Sequence, residues 1–432
     1  MKAPVFSDLV ARVLMQAGYQ VRRVMNITDV GHLVADADSG EDKMALGAKR
    51  EGLSAKQVAD RYTKMFLEDI QLLNLDTGSI LFPRATEYIK EQIALTQILE
   101  KKGFTYATQD GIYFDTSKFG DYGKLGNIHG VLSREEALSS IGRRIAENKE
   151  KKHPADFALW KFSNADSRRL QEWNSPWGYG FPGWHIECSA MIHALLGITI
   201  DIHTGGIDHI PVHHNNEIAQ SEAANGKPLA RYWLHEAFVT LKDEKISKSL
   251  GNDVYVSDII ERGYHPLALR YFFLQAHYRT PIDFTWEALA ASNEALHKLW
   301  RLAREAKVSS KGRTLPSDAS RTMVATLRND LATPKALALL WDVLKDDDLS
   351  HPQIWGVVTS AEEVLGLSLT HPPRSEAPAP IPADIQKLAQ ERDAARLSQD
   401  FARSDEIRIH IENRGYRVDD TPSGTIVTKR PG

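Results

Sequence analysis

Two apolar patterns of different period follow one another at the start of the 432-residue chain, and this succession constrains the fold more than any other feature. Apolar residues first recur at helical spacing, at Val5, Phe6, Leu9, Val10, Val13, Leu14 and Ala17. Gly18 ends this pattern, and residues 19–25 have the composition of a strand. A helix followed by a strand is typical of parallel α/β sheets, which normally open with a strand. We therefore expect such a sheet with its first strand missing.

Composition limits the function classes that remain open. Hydrophobic residues make up 42% and charged residues 25%, which is usual for a globular protein. No run of about 18 apolar residues occurs, so we expect no membrane span. The net charge of −4 gives no overall basic field for nucleic acid, and RNA contacts would depend on local patches and shape.

The chain has one cysteine, Cys188, which excludes an intrachain disulfide. Asp8 and Arg12 interrupt the apolar stretch that a signal peptide would need. We expect a cytoplasmic enzyme.

A short basic segment, K-I-S-K-S-L-G-N, begins at Lys245. Lys245 and Lys248 are three residues apart, with hydroxyls between them and a glycine after them. Such a mobile cationic loop suits a triphosphate, because charge grows on the leaving pyrophosphate. The alternative is a solvated basic turn without a ligand.

Cys188 and, 25 residues later, His213 and Glu217 form a candidate metal site. Thiolate, imidazole and carboxylate all bind Zn²⁺. His213 and Glu217 are four residues apart, so they share one face of a helix. The alternative is a buried cysteine that acts as a small apolar residue, together with a surface His/Glu pair.

Four motifs follow one another between residues 182 and 252: G-W-H-I-E-C-S-A-M, D-I-H-T-G-G-I-D, H-H-N-N-E-I-A-Q-S and K-I-S-K-S-L-G-N. Their succession resembles the core of cysteine–tRNA ligases, a family of class I aminoacyl-tRNA synthetases. Further matches extend from N-I-T-D at 26–29 to D-T-P-S-G-T at 420–425, so the resemblance covers essentially the whole chain.

The resemblance implies an amino-acid site. Cys188, His213 and Glu217 would bind one Zn²⁺ per chain, and Thr28 would help to hold the amino acid. Trp184 would form a wall of the pocket, although core packing explains a tryptophan there equally well. A soft thiolate bonding to zinc would distinguish cysteine from serine, which an apolar pocket separates by only ~1–3 kcal/mol.

The resemblance also implies a nucleotide site. Gly205 and Gly206 would permit close backbone approach to ATP, and Asp208 would accept a hydrogen bond from a ribose hydroxyl. Lys248 would contact the phosphates, with Mg²⁺ accompanying ATP. Lys245 and Lys248 would act in catalysis.

The function implied is the ligation of L-cysteine to tRNA(Cys) through cysteinyl-adenylate, by a monomer without membrane contact. The fold implied is a class I Rossmann-like parallel sheet with an insertion, a helical-bundle tRNA-binding domain and a small C-terminal module. We predict these segments: a first catalytic half at 1–80, an insertion at 81–154, a second catalytic half at 155–240, the K-x-S-K-S and stem-contact region at 241–290, a helical anticodon-side domain at 291–370, a Pro-rich linker at 371–383 and the C-terminal module at 384–432.

The chain departs from the family pattern in two places. The family's first strand carries a cysteine, the fourth zinc ligand, followed by an H-I-G-H or H-I-G-N motif that grips ATP, and neither occurs here. We therefore expect the chain as it stands to activate cysteine poorly. Residues 31–43 are longer than the family's D-D-K link; we interpret this segment as a polar loop insertion, and the alternative is that it marks a subfamily.

Two other functions remain open. The first is a non-catalytic paralogue or remnant that binds tRNA or cysteine. The second is a ligase that joins cysteine to an amino sugar. The helical region and C-terminal module argue against the second, because such an enzyme has no anticodon to read.

Overall fold

The computed structural model describes residues 1–31, 43–126, 150–163, 169–241, 244–245, 254–373, 381–398, 400–421 and 424–429. The described residues form two parallel strand pairs, a five-stranded antiparallel sheet, a largely helical region that includes a three-stranded sheet, and a C-terminal unit with a two-stranded hairpin. The predicted α/β class is confirmed.

The chain starts with helix α1 (Lys2–Gln16), whose buried side includes Val5, Phe6 and Leu9. Strand β1 (Arg23–Val24) follows and is shorter than the predicted strand at 19–25. Next along the chain come α2 (Lys43–Glu51), α3 (Ala55–Leu72) and β2 (Ile80–Leu81). Strands β1 and β2 pair in parallel.

An antiparallel sheet of five strands forms the next layer, in the order β3-β4-β5-β7-β6. Its elements, with the helix that precedes them, are α4 (Ile89–Lys101), β3 (Thr105–Thr108), β4 (Gly111–Phe114), β5 (Phe157–Phe162), β6 (Trp173–Ser175) and β7 (Gly178–Pro182). The sheet takes strands from both sides of residue 154, where the sequence places a domain boundary. The division into domains stays a prediction.

A second parallel pair follows this sheet. Helix α5 (Trp184–Leu196) leads to β8 (Ile200–Gly206), and α6 (Asn215–Asn225) leads to β9 (Ala230–Glu236). Strands β8 and β9 are parallel, so their carboxyl ends lie side by side. Within the described ranges, no strand joins this pair to β1 and β2.

The following region is mostly helical. In chain order it contains β10 (Val239–Leu241), β11 (Glu244–Lys245), α7 (Val256–Glu261), α8 (Leu267–Leu274), β12 (Ile282–Asp283), α9 (Trp286–Ser309), α10 (Asp318–Arg328), α11 (Thr333–Val343) and α12 (His351–Leu365). One apolar core unites these helices with α1, through buried residues such as Leu9, Leu269, Trp300, Leu340 and Val357.

The C-terminal residues form a small unit with its own core. It comprises α13 (Ala383–Leu397), α14 (Phe401–Asn413) and the antiparallel hairpin of β13 (Tyr416–Thr421) and β14 (Gly424–Lys429). Ile385, Ile407, Ile411 and Val418 are buried together. Of the predicted Pro-rich linker, residues 374–380 lie outside the described residues.

A buried ion network connects α1 to the helical region. Asp8 Oδ2 lies 2.7 Å from Nη2 of Arg270 and 2.6 Å from Nε of Arg12, and Asp8 Oδ1 lies 3.1 Å from Nη1 of Arg23. Arg270 has no exposed surface and also donates to the carbonyl oxygens of Leu73 and Leu365. Burial alone would raise the pKa of Asp8, but the charges of Arg270, Arg12 and Arg23 outweigh it and hold this pKa below its usual value.

The variant Asp8→Asn should lower the free energy of unfolding by about 3–5 kcal/mol, because it leaves the Arg270 guanidinium buried without a counter-charge. Urea denaturation followed by circular dichroism measures this. Since the pKa of Asp8 is depressed on folding, its contribution is present above the unfolded pKa of about 3.9 and is lost as the pH falls through the folded pKa. The variant and the parent should therefore converge in stability at acid pH.

Glu305→Gln is the matched control, because Glu305 pairs with Arg301 at 2.8 Å on an exposed helix face. It should cost less than about 1 kcal/mol. Equal costs for the two variants would contradict the structural role of the buried network.

Candidate metal and substrate site

Helices α5 and α6 pack side by side and carry Cys188 and Glu217, and His213 lies in the helical turn Ile210–His214 directly before α6. Helix α5 begins directly after β7, where Gly183 passes so close to the sheet that a Cβ atom would lie 1.9 Å from the carbonyl oxygen of Ala158. Ile186 and Ala190 of α5 are buried in the same apolar cluster as Ala219 of α6. The antiparallel sheet and this cluster thus set the spacing of the two helices.

Buried hydrogen bonds fix α6 further. The Gln220 side chain donates to the carbonyl oxygen of His185 at 2.5 Å and to Oγ of Ser189 at 2.7 Å. On the neighbouring turn, the Tyr122 hydroxyl donates to Oδ1 of Asn216 at 2.5 Å. These contacts hold α6 in one register along α5.

Cys188, His213 and Glu217 converge between these helices. One donor atom from each lies within 4.8 Å of the other two, and His213 Nε2 is 3.5 Å from Glu217 Oε2. Glu217 has no exposed surface, and its Oε2 accepts no hydrogen bond from the described residues. A buried carboxylate oxygen with free acceptor capacity, next to a thiol and an imidazole, fits a bound cation.

The surrounding imidazoles favour the neutral form of His213. Its Nδ1 lies 2.9 Å from Nδ1 of His185, so Nε2 remains to face Glu217. Burial pushes the pKa of His213 well below its usual value, and the neighbouring histidines, His185 first, lower it further. A neutral imidazole is the form that binds a metal.

The surroundings of Cys188 disfavour a thiolate without a cation. Burial raises the pKa of the thiol well above its usual value, and the charges of Glu217 and Glu187 raise it further. The amide of Asn26 contacts Sγ at 3.5 Å and Oγ1 of Thr28 at 3.3 Å. Thr28, a predicted amino-acid contact, is therefore close to Cys188.

A second set of donors shares Glu217. His203 Nε2 lies 3.2 Å from Glu217 Oε1, and His203, His214 and Glu217 also meet within 4.8 Å. Burial lowers the pKa of His203, but the charge of Glu217 and the hydrogen bond outweigh it, so this pKa lies above its usual value. Neither histidine was predicted as a site residue, although each lies within a motif used for the family resemblance.

The ring of Trp184 covers the metal candidates from one side. Its centroid lies 4.3 Å from that of His213 and 5.2 Å from that of His185. This position is compatible both with a pocket wall and with packing, so the predicted role of Trp184 stays a prediction.

Of the predicted nucleotide residues, Gly205 and Gly206 end β8 and Asp208 follows two residues later. A Cβ atom on Gly205 would lie 2.6 Å from Cε1 of His214, and one on Gly206 would lie 2.4 Å from Oδ1 of Asp208. A side chain at either glycine would therefore require these neighbouring side chains to shift. Ligands of parallel α/β sheets bind outside this end of the strands.

The two predicted catalytic lysines belong to the segment that begins with strand β11. Lys245 ends the short strand β11, where its backbone pairs with Thr240. Lys248 lies outside the described residues, as does most of the loop at 31–43. The roles of both lysines stay predictions.

Sequence comparison places the chain among known enzymes. A family model described as the catalytic domain of class I (C) tRNA synthetases matches residues 1–294. Cysteine–tRNA ligase 1 of Burkholderia lata is 47% identical over 423 residues, or 97% of this chain and 87% of that protein. The cysteine–tRNA ligases of Treponema denticola and Thermus thermophilus are 37% and 38% identical, each covering 98% of this chain and 90% of the relative.

Structural comparison agrees on the fold. Methionyl-tRNA synthetase of Mycobacterium tuberculosis, bound by methionyl-adenylate, superposes with a TM-score of 0.58 at 16% identity. The match covers 85% of this chain and 89% of that one. Among the described helices, none combines the length and apolar character that a membrane span requires.

Proposed function

The chain belongs to the cysteine–tRNA ligases, class I aminoacyl-tRNA synthetases, and we propose on this basis that it joins L-cysteine to tRNA(Cys) with ATP as co-substrate. The observation that carries the proposal is the convergence of Cys188, His213 and Glu217 in a chain so similar to these ligases. The relatives favour neither a non-catalytic paralogue nor a cysteine–amino sugar ligase.

The reaction has two steps. The carboxylate of cysteine attacks the α-phosphorus of ATP, giving cysteinyl-adenylate and pyrophosphate. A terminal ribose hydroxyl of the tRNA then attacks the carbonyl carbon, loses its proton and releases AMP. Neither step needs a protein nucleophile, so the chain contributes chiefly by positioning the substrates and stabilising charge.

At the amino-acid end, Cys188, His213 and Glu217 hold one Zn²⁺. The unused acceptor capacity of Glu217 Oε2 and the neutral His213 support this assignment. Bound there, Zn²⁺ supplies a soft acceptor that prefers the thiolate of cysteine to the hydroxyl of serine. Trp184 and Thr28 border the space beside these ligands and orient the amino acid.

At the nucleotide end, Gly205 and Gly206 admit ATP, which carries Mg²⁺, to the carboxyl end of β8. Asp208 accepts a hydrogen bond from the ribose. Lys245 and Lys248 stabilise the charge that develops on pyrophosphate. The helical region and the C-terminal unit contact tRNA, and the enzyme acts as a cytoplasmic monomer.

Amino-acid selection tests the proposal without turnover. The chain should bind the non-hydrolysable analogue cysteinyl-sulfamoyl-adenosine more tightly than the seryl analogue by about a hundredfold or more, because a hydroxyl cannot replace the soft thiolate. Titration calorimetry of the zinc-loaded protein measures both dissociation constants. Equal affinities would contradict a cysteine-selective ligase.

Metal content tests the ligand assignment. The purified parent chain should contain one zinc per chain by plasma emission spectrometry, and Cys188→Ala should contain much less. His193→Asn is the control, since His193 is exposed on the same helix and should leave the metal in place. Stoichiometric zinc in Cys188→Ala would rule out the assignment.

In a version of the chain preceded by the family's first strand and H-I-G-H or H-I-G-N motif, Lys248→Ala should slow cysteine-dependent ATP–pyrophosphate exchange by roughly a hundredfold or more, if the ammonium acts on the leaving pyrophosphate. Lys227→Ala removes an exposed lysine between α6 and β9 and should leave the rate unchanged. An unaltered rate in Lys248→Ala would exclude Lys248 from the mechanism.

A further inference from the structure

Glu236 lies at the same edge of the strand pair as Gly206 and Asp208, and it belongs to none of the four sequence motifs. It is the last residue of β9 and pairs in register with Gly206, the last residue of β8. Asp208 follows two residues after Gly206. The carboxyl ends of two adjacent parallel strands thus carry two carboxylates at a place where α/β folds bind ligands.

The two carboxylates converge on the backbone of Gly206. A Cβ atom built there would lie 2.4 Å from Oδ1 of Asp208 and 3.8 Å from Oε1 of Glu236. The absence of a side chain at Gly206 therefore lets the Asp208 carboxylate pack against this backbone, with Glu236 beside it.

Glu236 is buried, and one oxygen of its carboxylate can still accept a hydrogen bond. Only 5% of its surface is exposed, and no described residue donates a hydrogen bond to its Oε2. The nearby ammonium of Lys2 instead donates to the carbonyl oxygens of Ala237 at 2.7 Å and Thr280 at 3.3 Å. Leaving a buried carboxylate oxygen unpaired is costly, so a ligand that donates a hydrogen bond stabilises this arrangement.

The surrounding charges favour a neutral donor over a second cation. Burial raises the pKa of Glu236 to about 7; the charge of Asp208 acts in the same direction, whereas that of Lys2 opposes it. Lys2 is also the first residue of α1, and the N-terminus of a helix carries partial positive charge. A metal ion here would be repelled by both, whereas a hydroxyl would not.

We propose that Glu236 is a further nucleotide-binding residue, whose carboxylate accepts a hydrogen bond from one ribose hydroxyl of ATP while Asp208 accepts from the other. The assignment rests on the proposed function, because it takes ATP as the ligand at the end of β8. It extends the nucleotide site from one strand end to two.

Binding of ATP, 2′-deoxy-ATP and 3′-deoxy-ATP to the full chain, measured by calorimetry without cysteine or tRNA, tests this inference. The parent chain should bind ATP about tenfold to a hundredfold more tightly than each deoxynucleotide, since each lost hydroxyl leaves a charged acceptor unpaired. The Glu236→Leu variant should bind ATP and one of the two deoxynucleotides equally tightly, and should still bind ATP more tightly than the other. The Glu236→Gln variant should keep part of the preference that Glu236→Leu loses, because the amide oxygen of glutamine still accepts a hydrogen bond.

Asp201→Asn is the control, because Asp201 lies at the amino end of β8, where it is exposed beside Arg231. This variant should still bind ATP more tightly than either deoxynucleotide. Equal weakening of all three nucleotides by Glu236→Leu would indicate a structural role and overturn the inference, as would a parent chain that binds all three equally. A change in Mg²⁺ affinity without nucleotide, in place of a changed hydroxyl preference, would also overturn it. Failure of the parent chain to bind ATP at all would overturn the proposed function as well.

Discussion

The charge of one buried carboxylate, Glu217, organises the candidate site. Its two oxygens lie among His203, His213 and Cys188 donors, yet Oε2 accepts no hydrogen bond from a described residue. An ionised carboxylate without exposed surface is expensive unless it is paired. Burial lowers the pKa of both His203 and His213; the charge of Glu217 outweighs burial at His203, whereas the neighbouring histidines lower the pKa of His213 further. In our proposal, a cation bound by the Cys188 thiolate, the His213 imidazole and the Glu217 carboxylate neutralises this buried charge.

The residues proposed to bind the amino acid and those proposed to bind the nucleotide lie at different places around the strand pair β8 and β9. Cys188 and Glu217 lie on the helices α5 and α6 that flank β8, and they face the side chain of the amino acid in our proposal. Gly206, Asp208 and Glu236 lie at the strand ends, where in our proposal they face the nucleotide. The buried network around Asp8 keeps α1, which begins beside Glu236, attached to the helical region. The stability of that network therefore bears on the geometry of the nucleotide end.

Much of this arrangement follows from local sequence patterns, and the remainder depends on contacts between distant residues. The helical spacing around Val5 and Leu9 predicts α1, because burial on one side is a property of the helix itself. The family motifs bring together Cys188, His213 and Glu217 as candidates. By contrast, no local pattern pairs Asp8 with Arg270, which are 262 residues apart, or reveals that Glu236 is buried opposite Gly206. The antiparallel sheet likewise contains strands from both sides of residue 154, because it forms by hydrogen-bond pairing between distant segments. The composition of the chain near residue 154 does not predict that pairing.

In our proposal, Cys188, His213 and Glu217 hold a zinc ion beside the thiol of the substrate. X-ray absorption spectroscopy at the zinc edge, with and without cysteine, tests it most directly. We predict one sulfur atom at about 2.3 Å from zinc in the chain alone. When cysteine is added, a second sulfur should appear at a similar distance, and serine should cause no such change. A zinc environment without sulfur, or one that cysteine leaves unchanged, would contradict it.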